Sequence, residues 1–327
     1  MEHSNSRHEP PLKRMRPSNV DRISNLPDAM ITHILSLMQV TDAVRTQLLS
    51  KQWRYAWTSS PGLIFSGKGN YLEDEDVKVI NNALMLHKGP IISLSLFNIG
   101  CLRDGSDTPV NVWVQCAVDK RIEVLDLDVN ECPNSYMLPH SLFLCDTLKE
   151  FRLIASEFNP TSSVFWKSLK KLTLQFVKNL SNDKIHKIIT SSPVLESLNL
   201  LVCSGFSQII VSSNSSKLRN LVISYQEDNV NEVGKGAKLL VISVPSITSL
   251  EISGYMGRRY CKLEDVSSLE QASFRFCMSA IAENHEVRKT VCRRMMYWLL
   301  RNTSHVAKLS LGTWCTQVSN LVLLLFQ

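Results

Sequence analysis

The 327-residue sequence lacks the short motifs that identify the common classes of enzyme. It contains no phosphate-binding P-loop, no Gly-x-Gly-x-x-Gly dinucleotide fingerprint, no Gly-x-Ser-x-Gly nucleophile elbow and no His-Glu-x-x-His zinc motif. Its eight histidines are scattered, and none lies in a recognisable triad. We therefore predict a protein without catalytic residues and without a cofactor.

Cysteine spacing and hydrophobic runs exclude three further classes. The nine cysteines include no Cys-x-x-Cys pair and no Cys/His group with zinc spacing, so we predict free buried thiols in a reducing compartment and no metal site. The N-terminus lacks the apolar core of a signal peptide, and no apolar run approaches the roughly 20 residues that span a bilayer. We expect no membrane partner and a nuclear and/or cytoplasmic location.

Charge is also modest. The net charge is +6 and 44% of the residues are hydrophobic, which is ordinary for a globular chain and too weakly basic to indicate a nucleic-acid partner. Residues 1–20 are polar, with two adjacent prolines, and are predicted to form a disordered tail. The basic cluster at residues 12–17 is either a nuclear-import signal or part of a solvated tail.

What the sequence does contain begins with residues 21–60, where the spacing predicts three short helices. Leu26-Pro27 favours an extended entry to the first helix. The second helix can be capped by Thr41 or Asp42, and the third by Ser50. Their apolar residues recur at helical spacing: Met30, Ile31, Ile34, Leu35 and Met38, then Val44 and Leu48, then Trp53 and Trp57. A unit this small cannot bury them all, so either the rest of the chain or a partner covers the remainder.

This stretch resembles the F-box of the plant F-box/leucine-rich-repeat family. The resemblance rests on Asp21-Arg22-Ile23, Leu26-Pro27-Asp28, Ile34-Leu35-Ser36, Asp42-Ala43-Val44-Arg45-Thr46, Leu49-Ser50-Lys51 and Trp53-Arg54-Tyr55-Ala56-Trp57-Thr58-Ser59. Two positions depart from the family: Ala29 replaces an acidic residue, and Gln39 replaces a proline between the first two helices. We find no clear copy of the C-terminal FBD module, and the apolar end at residues 321–327 predicts a terminus shorter than that of its relatives.

From residue 91 onward an apolar-x-x-apolar-x-apolar pattern recurs. Copies start at residues 91, 122, 148, 169, 195, 218 and 247, with weaker copies at 269 and 306. This irregular period is typical of leucine-rich repeats, and the alternation within each copy predicts a short strand. Most copies lack the consensus Asn or Cys that Asn130 and Cys203 supply, so we describe the repeats as degenerate.

The expected fold is α/β: a three-helix F-box followed by a leucine-rich-repeat solenoid, a curved parallel sheet with helices on its convex side. We divide the chain into the tail (1–20), the F-box (21–60), a linker helix (61–90) and the repeats (91–327). The acidic run at residues 73–76 is read as the start of that linker helix rather than as a metal site. Helices are also predicted at Val110–Val118, Lys184–Thr190 and Glu283–Arg301; the last has a basic side that could bind an anionic partner or simply face solvent.

The resemblance implies a substrate-recognition subunit of an SCF-type ubiquitin ligase, with no catalytic residue of its own. The F-box would bind a SKP-family adaptor, and through it cullin, with Leu26, Pro27, Ile31, Ile34, Leu35, Val44 and Leu48. The strand residues between the leucines would bind an unknown target protein on the concave face, with Asp126, Arg152, Ile154, Thr173, Gln175, Asn199 and Leu201. The departures at Ala29 and Gln39 keep an alternative open, a leucine-rich-repeat binding scaffold outside any ligase.

Overall fold

The computed structural model describes residues 22–67, 71–102, 109–129, 137–160, 164–211, 217–226, 238–255, 259–277 and 286–317. The predicted N-terminal tail, its basic cluster, Asn130 and the apolar run at 321–327 lie outside these residues.

The N-terminal unit consists of two α-helices and two 3-10 helices. Helix α1 (Asp28–Ser36) begins after Pro27, whose backbone is extended (ψ 145°), as the sequence predicts. Helix α2 (Val40–Arg45) is followed by 3-10 turns at Thr46–Leu48 and Ala56–Ser59. The prediction of a third α-helix is wrong, because residues 51–55 form turns. Tertiary contacts hold this segment: Trp53 Nε1 donates to the Ile23 carbonyl at 3.2 Å, and Trp57 is buried in the same core.

A ten-stranded parallel sheet forms the body of the protein, with strand order β1-β3-β5-β6-β7-β8-β10-β12-β14-β15. Its strands are β1 (Gly62–Ser66), β3 (Ser93–Phe97), β5 (Val124–Asp128), β6 (Glu150–Ile154), β7 (Lys171–Gln175), β8 (Ser197–Leu201), β10 (Asn220–Tyr225), β12 (Ser249–Tyr255), β14 (Gln271–Cys277) and β15 (Lys308–Leu311). Strand β1 was not predicted; it lies in the expected linker and pairs with β3, so the sheet starts directly after the helical unit.

The register of this sheet follows the repeat pattern. In this ten-stranded sheet, each strand after β1 contains the second and third apolar residues of one copy, including the weaker copies at 269 and 306. Equivalent leucines are paired across strands, for example Leu172 with Leu198 and Leu198 with Leu221. These leucines are 1% exposed or less, while most of the intervening residues are half-buried. The predicted alternation of inward and outward residues is confirmed from β3 to β14 of this sheet, whereas the last strand departs from it, because Leu309 in β15 is 42% exposed.

A second layer covers the leucine side of the sheet. Its helices are α3 (Asp74–Leu86), α4 (Val110–Asp119), α5 (His140–Phe143), α6 (Asn182–Ser191) and α7 (Glu286–Asn302). The acidic run lies in the first turn of α3, and the Ser181 hydroxyl caps α6 by accepting from Lys184 N, both as predicted. In the later repeats the prediction of helices is incomplete, because β9 (Gln208–Ile210), β11 (Lys238–Ser243) and β13 (Arg259–Leu263) form a small parallel sheet. Its residues Ile209, Ile242 and Leu263 belong to the common core. Strands β2 (Tyr71–Leu72) and β4 (Cys101–Leu102) form a two-stranded sheet.

The second residue after the last apolar position of the repeat pattern adopts a left-handed backbone in several repeats. In β12 this residue is Gly254, which has φ 91°, and a Cβ there would lie 1.9 Å from the Tyr225 carbonyl oxygen. The equivalent residues are Phe176 (φ 62°), which follows β7, and Val202 (φ 56°), which follows β8. Bulky and β-branched residues are rarely found in this conformation, so the repeat geometry imposes local strain at these two positions.

Candidate functional site

Helix α1 has an apolar stripe on each side. Ile31 and Leu35 are 0% and 1% exposed and belong to the core. Met30, Ile34 and Leu37 lie on the other side, and their side chains are 52%, 36% and 69% exposed. The core can cover only one side of the helix, so the second stripe remains on the surface of this chain.

The helical unit exposes further apolar residues besides this stripe. Ile23, Leu48, Leu49 and Tyr55 are also exposed, and Leu48 is the most exposed of all these residues at 86%. We call these seven residues the apolar face of the helical unit: Ile23, Met30, Ile34, Leu37, Leu48, Leu49 and Tyr55. Exposed apolar groups concentrated on one small unit are typical of an interaction surface.

The seven residues predicted to bind an adaptor differ in their exposure. Ile34, Leu48 and Pro27 are exposed, and Leu26 and Val44 are half-buried against the core. Ile31 and Leu35 are buried, so in this conformation they support the helix and have no surface to offer a partner. Sequence reasoning did not select Leu37, Leu49 and Tyr55. The signal for Leu37 was present, because Met30, Ile34 and Leu37 are spaced by four and three residues.

Gln39, which stands where the F-box family usually has a proline, has the backbone conformation of a proline at the start of α2. Gln39 precedes the first residue of the helix with φ −59° and ψ 140°, which is the backbone that proline would impose. Ala29 is exposed on the first turn of α1, so its effect is the loss of a surface charge.

A buried histidine connects the helical unit to the repeats. His87 follows α3, and its ring nitrogens lie 2.7 Å from the Ser60 carbonyl and 3.1 Å from the Gly89 carbonyl. Lys120 Nζ donates to the His87 carbonyl at 2.6 Å. Burial and, to a lesser extent, the nearby Lys120 charge lower the pKa of His87, whereas the two carbonyls act in the opposite direction. These hydrogen bonds connect the end of the helical unit to the turn after α3 and to Lys120, which follows α4.

On the outward face of the sheet, the residues predicted to bind a target form two rows. Strand pairing places Asp126, Arg152, Thr173 and Asn199 side by side, and it does the same for Ile154, Gln175 and Leu201. The predicted continuity of this patch is confirmed, whereas its role in binding remains a prediction. Ile154 and Thr173 are each only 7% exposed, so they offer less surface than expected.

Hydrogen bonds connect the rows. Arg152 Nη1 donates to Asp126 Oδ1 at 3.0 Å, and Arg152 Nη2 donates to Gln175 Oε1 at 3.2 Å. Asn199 Nδ2 donates to Thr173 Oγ1 at 3.0 Å. Burial raises the pKa of Asp126 above its ordinary value, although the Arg152 charge and hydrogen bond lower it and the Asp128 charge raises it further.

Two buried cysteines have strongly raised pKa values. Burial raises the pKa of Cys203 and of Cys261 to about 12, so both remain thiols rather than reactive thiolates. Within the described ranges there is no group of three or more Cys, His, Asp or Glu residues suited to a metal ion. In the same part of the chain, no helix combines the length and the apolar character needed to cross a bilayer.

A helical unit with an exposed apolar face, followed by a stack of parallel-strand repeats, is the architecture of an F-box/LRR-repeat protein. Residues 23–65 match the family model of the F-box domain. Residues 110–287 match the model described as "FBD-associated F-box protein At5g56370, LRR repeats". The chain therefore belongs to the plant F-box/LRR-repeat family.

Three relatives from Arabidopsis thaliana illustrate the similarity. The chain is 32% identical to F-box/LRR-repeat protein At3g26922 over 78% of its own length and 82% of that protein. It is 29% identical to F-box/FBD/LRR-repeat protein At5g56420 over 77% of its length, and 28% identical to F-box/LRR-repeat protein At3g03360 over 89%. The match spans only 60% and 59% of these last two proteins, respectively.

Proposed function

We propose that this protein is the substrate-recognition subunit of an SCF-type ubiquitin ligase. Its F-box would bind a SKP-family adaptor, and through it cullin, while its repeats bind a target protein. The chain would contribute no catalytic group, because holding a target near the ubiquitin-conjugating enzyme raises the rate by proximity. Such an assembly would work in the nucleus and/or the cytoplasm.

The observation that carries this proposal is the apolar face of the helical unit. It lies within the segment that matches the F-box, and no other part of the described chain covers it. Burying such a surface against an adaptor would remove it from water, which is a favourable contribution to the free energy of binding. We assign direct contact to the exposed residues Ile34, Leu37 and Leu48, and a supporting role to Ile31 and Leu35.

For the target, we propose the outward face of β5 to β8. Leu201 and Gln175 remain half-exposed and are neighbours in the second row. The polar groups around them are already hydrogen-bonded within the sheet, so this face is preorganised and carries charges of both signs. A protein segment with an apolar side chain fits such a face better than a phosphate backbone, which requires a positive stripe.

The adaptor assignment is tested by co-purification of the full chain with a SKP-family adaptor and cullin. We expect Leu37→Asp with Leu48→Asp to abolish the complex, because each buried hot-spot residue contributes roughly 2–4 kcal/mol to binding. The matched control is Met85→Asp with Val112→Asp, two equally charged changes at exposed apolar positions of α3 and α4. Unchanged capture of the adaptor by the first variant would contradict the assignment, and a wild-type chain that captures neither protein would favour the scaffold alternative.

The target surface is tested by proximity labelling under proteasome inhibition. Leu201→Arg with Ser224→Arg changes two half-buried neighbours on β8 and β10 and leaves Asp126, Arg152 and Gln175 unchanged. We expect the variant to keep adaptor binding and to lose a subset of labelled proteins. If the variant and the wild type label the same set of proteins, the target binds at a different surface of the chain.

A further inference from the structure

The positive charge of this chain is concentrated in its last part. Residues 287–327 contain six Lys and Arg residues and no Asp or Glu, and the net charge of the entire chain is +6. Helix α7 contains five of the six: Arg288, Lys289, Arg293, Arg294 and Arg301. The question is whether these cations are used within the fold or are available to another molecule.

The inner side of α7 is fixed on the small sheet. Met295, Met296 and Leu299 are buried, and helix α7 packs on β13. Two hydrogen bonds set its rotation: Cys261 N donates to Met295 Sδ at 3.4 Å, and Asn302 Nδ2 donates to the Leu263 carbonyl at 3.2 Å. The orientation of the opposite side is therefore determined.

That opposite side carries Arg294, Trp298 and Arg301, which we call the arginine–tryptophan stripe. Their spacing of four and three residues places them on one face of the helix. Arg294 and Arg301 are exposed, and Trp298 is 51% exposed. The guanidinium of Arg301 lies 5.4 Å from the Trp298 ring centroid, and the Tyr297 ring meets Trp298 edge to face at 5.7 Å. These contacts hold the indole in place without covering it.

The cations of the stripe differ from those of the large sheet. On the sheet, an acid from the neighbouring repeat pairs with the cation, as for Arg152 with Asp126 at 3.0 Å and Lys149 with Glu123 at 2.7 Å. Within the described part of the chain, neither Arg294 nor Arg301 forms an ion pair with a carboxylate. No carboxylate among the described residues therefore neutralises their charge.

We propose that the arginine–tryptophan stripe binds an acidic segment of a partner protein. Arg294 and Arg301 are seven residues apart, which is about 10 Å along the helix axis. In a peptide with the polyproline II conformation, which has three residues per turn, side chains three residues apart lie on the same side and are separated by a similar distance, about 9 Å. Two carboxylates at that spacing would meet the two guanidinium groups, and an apolar residue between them would lie on Trp298. Arg and Trp are enriched at the energetic centres of protein interfaces, and guanidinium groups bind carboxylates with paired hydrogen bonds.

The geometry favours a peptide over the other anionic partners. A nucleic acid would need a longer run of cations that follows its backbone, whereas this stripe spans only two helical turns. A lipid surface would need the apolar side of the helix, and that side is buried on β13. The site is separate from the proposed adaptor and target surfaces, so its test does not depend on the ligase assignment.

The experiment measures binding of a fluorescein-labelled peptide to the full chain by anisotropy. In the probe two glutamates flank two leucines, and in the control peptide glutamines replace the glutamates. We expect the probe to bind and the control peptide to bind at least about tenfold more weakly, because the control peptide cannot form the charge-assisted hydrogen bonds. Added salt should weaken binding of the probe, because it screens the same charges. Arg294→Gln with Arg301→Gln should weaken binding of the probe by about tenfold or more, and Trp298→Ala should also weaken this binding.

The matched control is Lys51→Gln with Arg54→Gln, which removes two exposed cations from the helical unit and should leave probe binding unchanged. Thermal unfolding of each variant confirms that it is folded. Equal binding to wild type and to the double arginine variant would overturn the proposal. Stronger binding of single-stranded DNA or of phosphatidylserine vesicles than of the peptide, lost in the same variant, would overturn the choice of partner.

Discussion

The guanidinium of Arg152 lies 3.0 Å from Asp126 Oδ1 and joins the two repeats that pair through β5 and β6. The same guanidinium reaches Gln175 on β7, so one side chain connects three successive strands. Because the groups are neighbours in the sheet, these hydrogen bonds are already formed in the chain by itself. The pair is partly exposed, so we regard it as a device that orders the surface rather than as a large source of stability.

Removing Arg152 should raise the pKa of Asp126. Burial raises this pKa already, and the Arg152 charge and hydrogen bond are the two causes that lower it. Arg152→Gln leaves the burial and removes the charge, so the carboxyl group should titrate at a higher pH than in wild type. Carboxyl chemical shifts followed by NMR across the acidic range measure this. A pKa for Asp126 that falls in the variant would contradict the assignment.

The same pKa predicts the sign of a pH effect on stability. A carboxyl group whose folded pKa is raised binds its proton more tightly in the folded state, so its contribution is present below the ordinary value of 3.8 and is lost as pH rises through the folded pKa. Between pH 3.8 and the folded pKa, the free energy of unfolding of the wild type should therefore contain a contribution that falls as pH rises. Asp126→Asn should remove that contribution. Asp146→Asn, at a position where the carboxyl does not join the Arg152 network, serves as the control.

His87 predicts the opposite slope at higher pH. Its folded pKa lies below the ordinary 6.5, so in the window between the two values the unfolded chain binds more protons and stability rises with pH. We expect urea unfolding to show this rise and His87→Gln to flatten it. His140→Gln changes an exposed histidine and should keep the slope of wild type. An unchanged slope in His87→Gln would place the titrating group elsewhere.

The inward leucines should be far more sensitive than their outward neighbours. Leu198 is 1% exposed and pairs with Leu172 and Leu221, so Leu198→Ala should cost about 2–5 kcal/mol through lost burial and a residual cavity. Because adjacent repeats share one core, hydrogen exchange should accelerate across β7 to β10. Leu201→Ala, on the outward face of the same strand, should cost much less. Equal losses would mean that the two faces are assigned incorrectly.

Val202 should tolerate a residue that accepts the left-handed backbone. Its φ is 56°, a conformation that costs a residue other than glycine roughly 1–2 kcal/mol and that asparagine adopts more readily. We expect Val202→Asn to raise the free energy of unfolding by up to about 1 kcal/mol, because backbone strain is relieved at a half-buried position. Val177→Asn is the control; it changes a fully buried valine and should destabilise. Destabilisation by Val202→Asn would show that its side-chain packing outweighs the strain.

The limits of sequence reasoning are clear in the helical unit. Helical spacing placed α1 correctly because Pro27 and the apolar stripe act locally. Spacing alone could not separate Ile31 from Ile34, since α1 is apolar on both sides and only contact with Trp53, Trp57 and the rest of the core decides which side is buried. For the same reason the third helix was predicted wrongly: the two tryptophans are held by contacts with distant residues.

By itself the sequence determined the repeats and their register. Apolar residues alternate along each strand, and the same pattern recurs from one strand to the next, so both features can be read from residues that are close together in the chain. The leucines at 172, 198 and 221 had to share one side of a parallel sheet once each copy formed a strand. Only the tertiary structure decided that Arg152 joins Asp126 to Gln175, that β1 opens the sheet, and that α7 turns Arg294 and Trp298 outward. These features depend on which residues distant in the chain come within a few ångströms, and no local pattern specifies that distance.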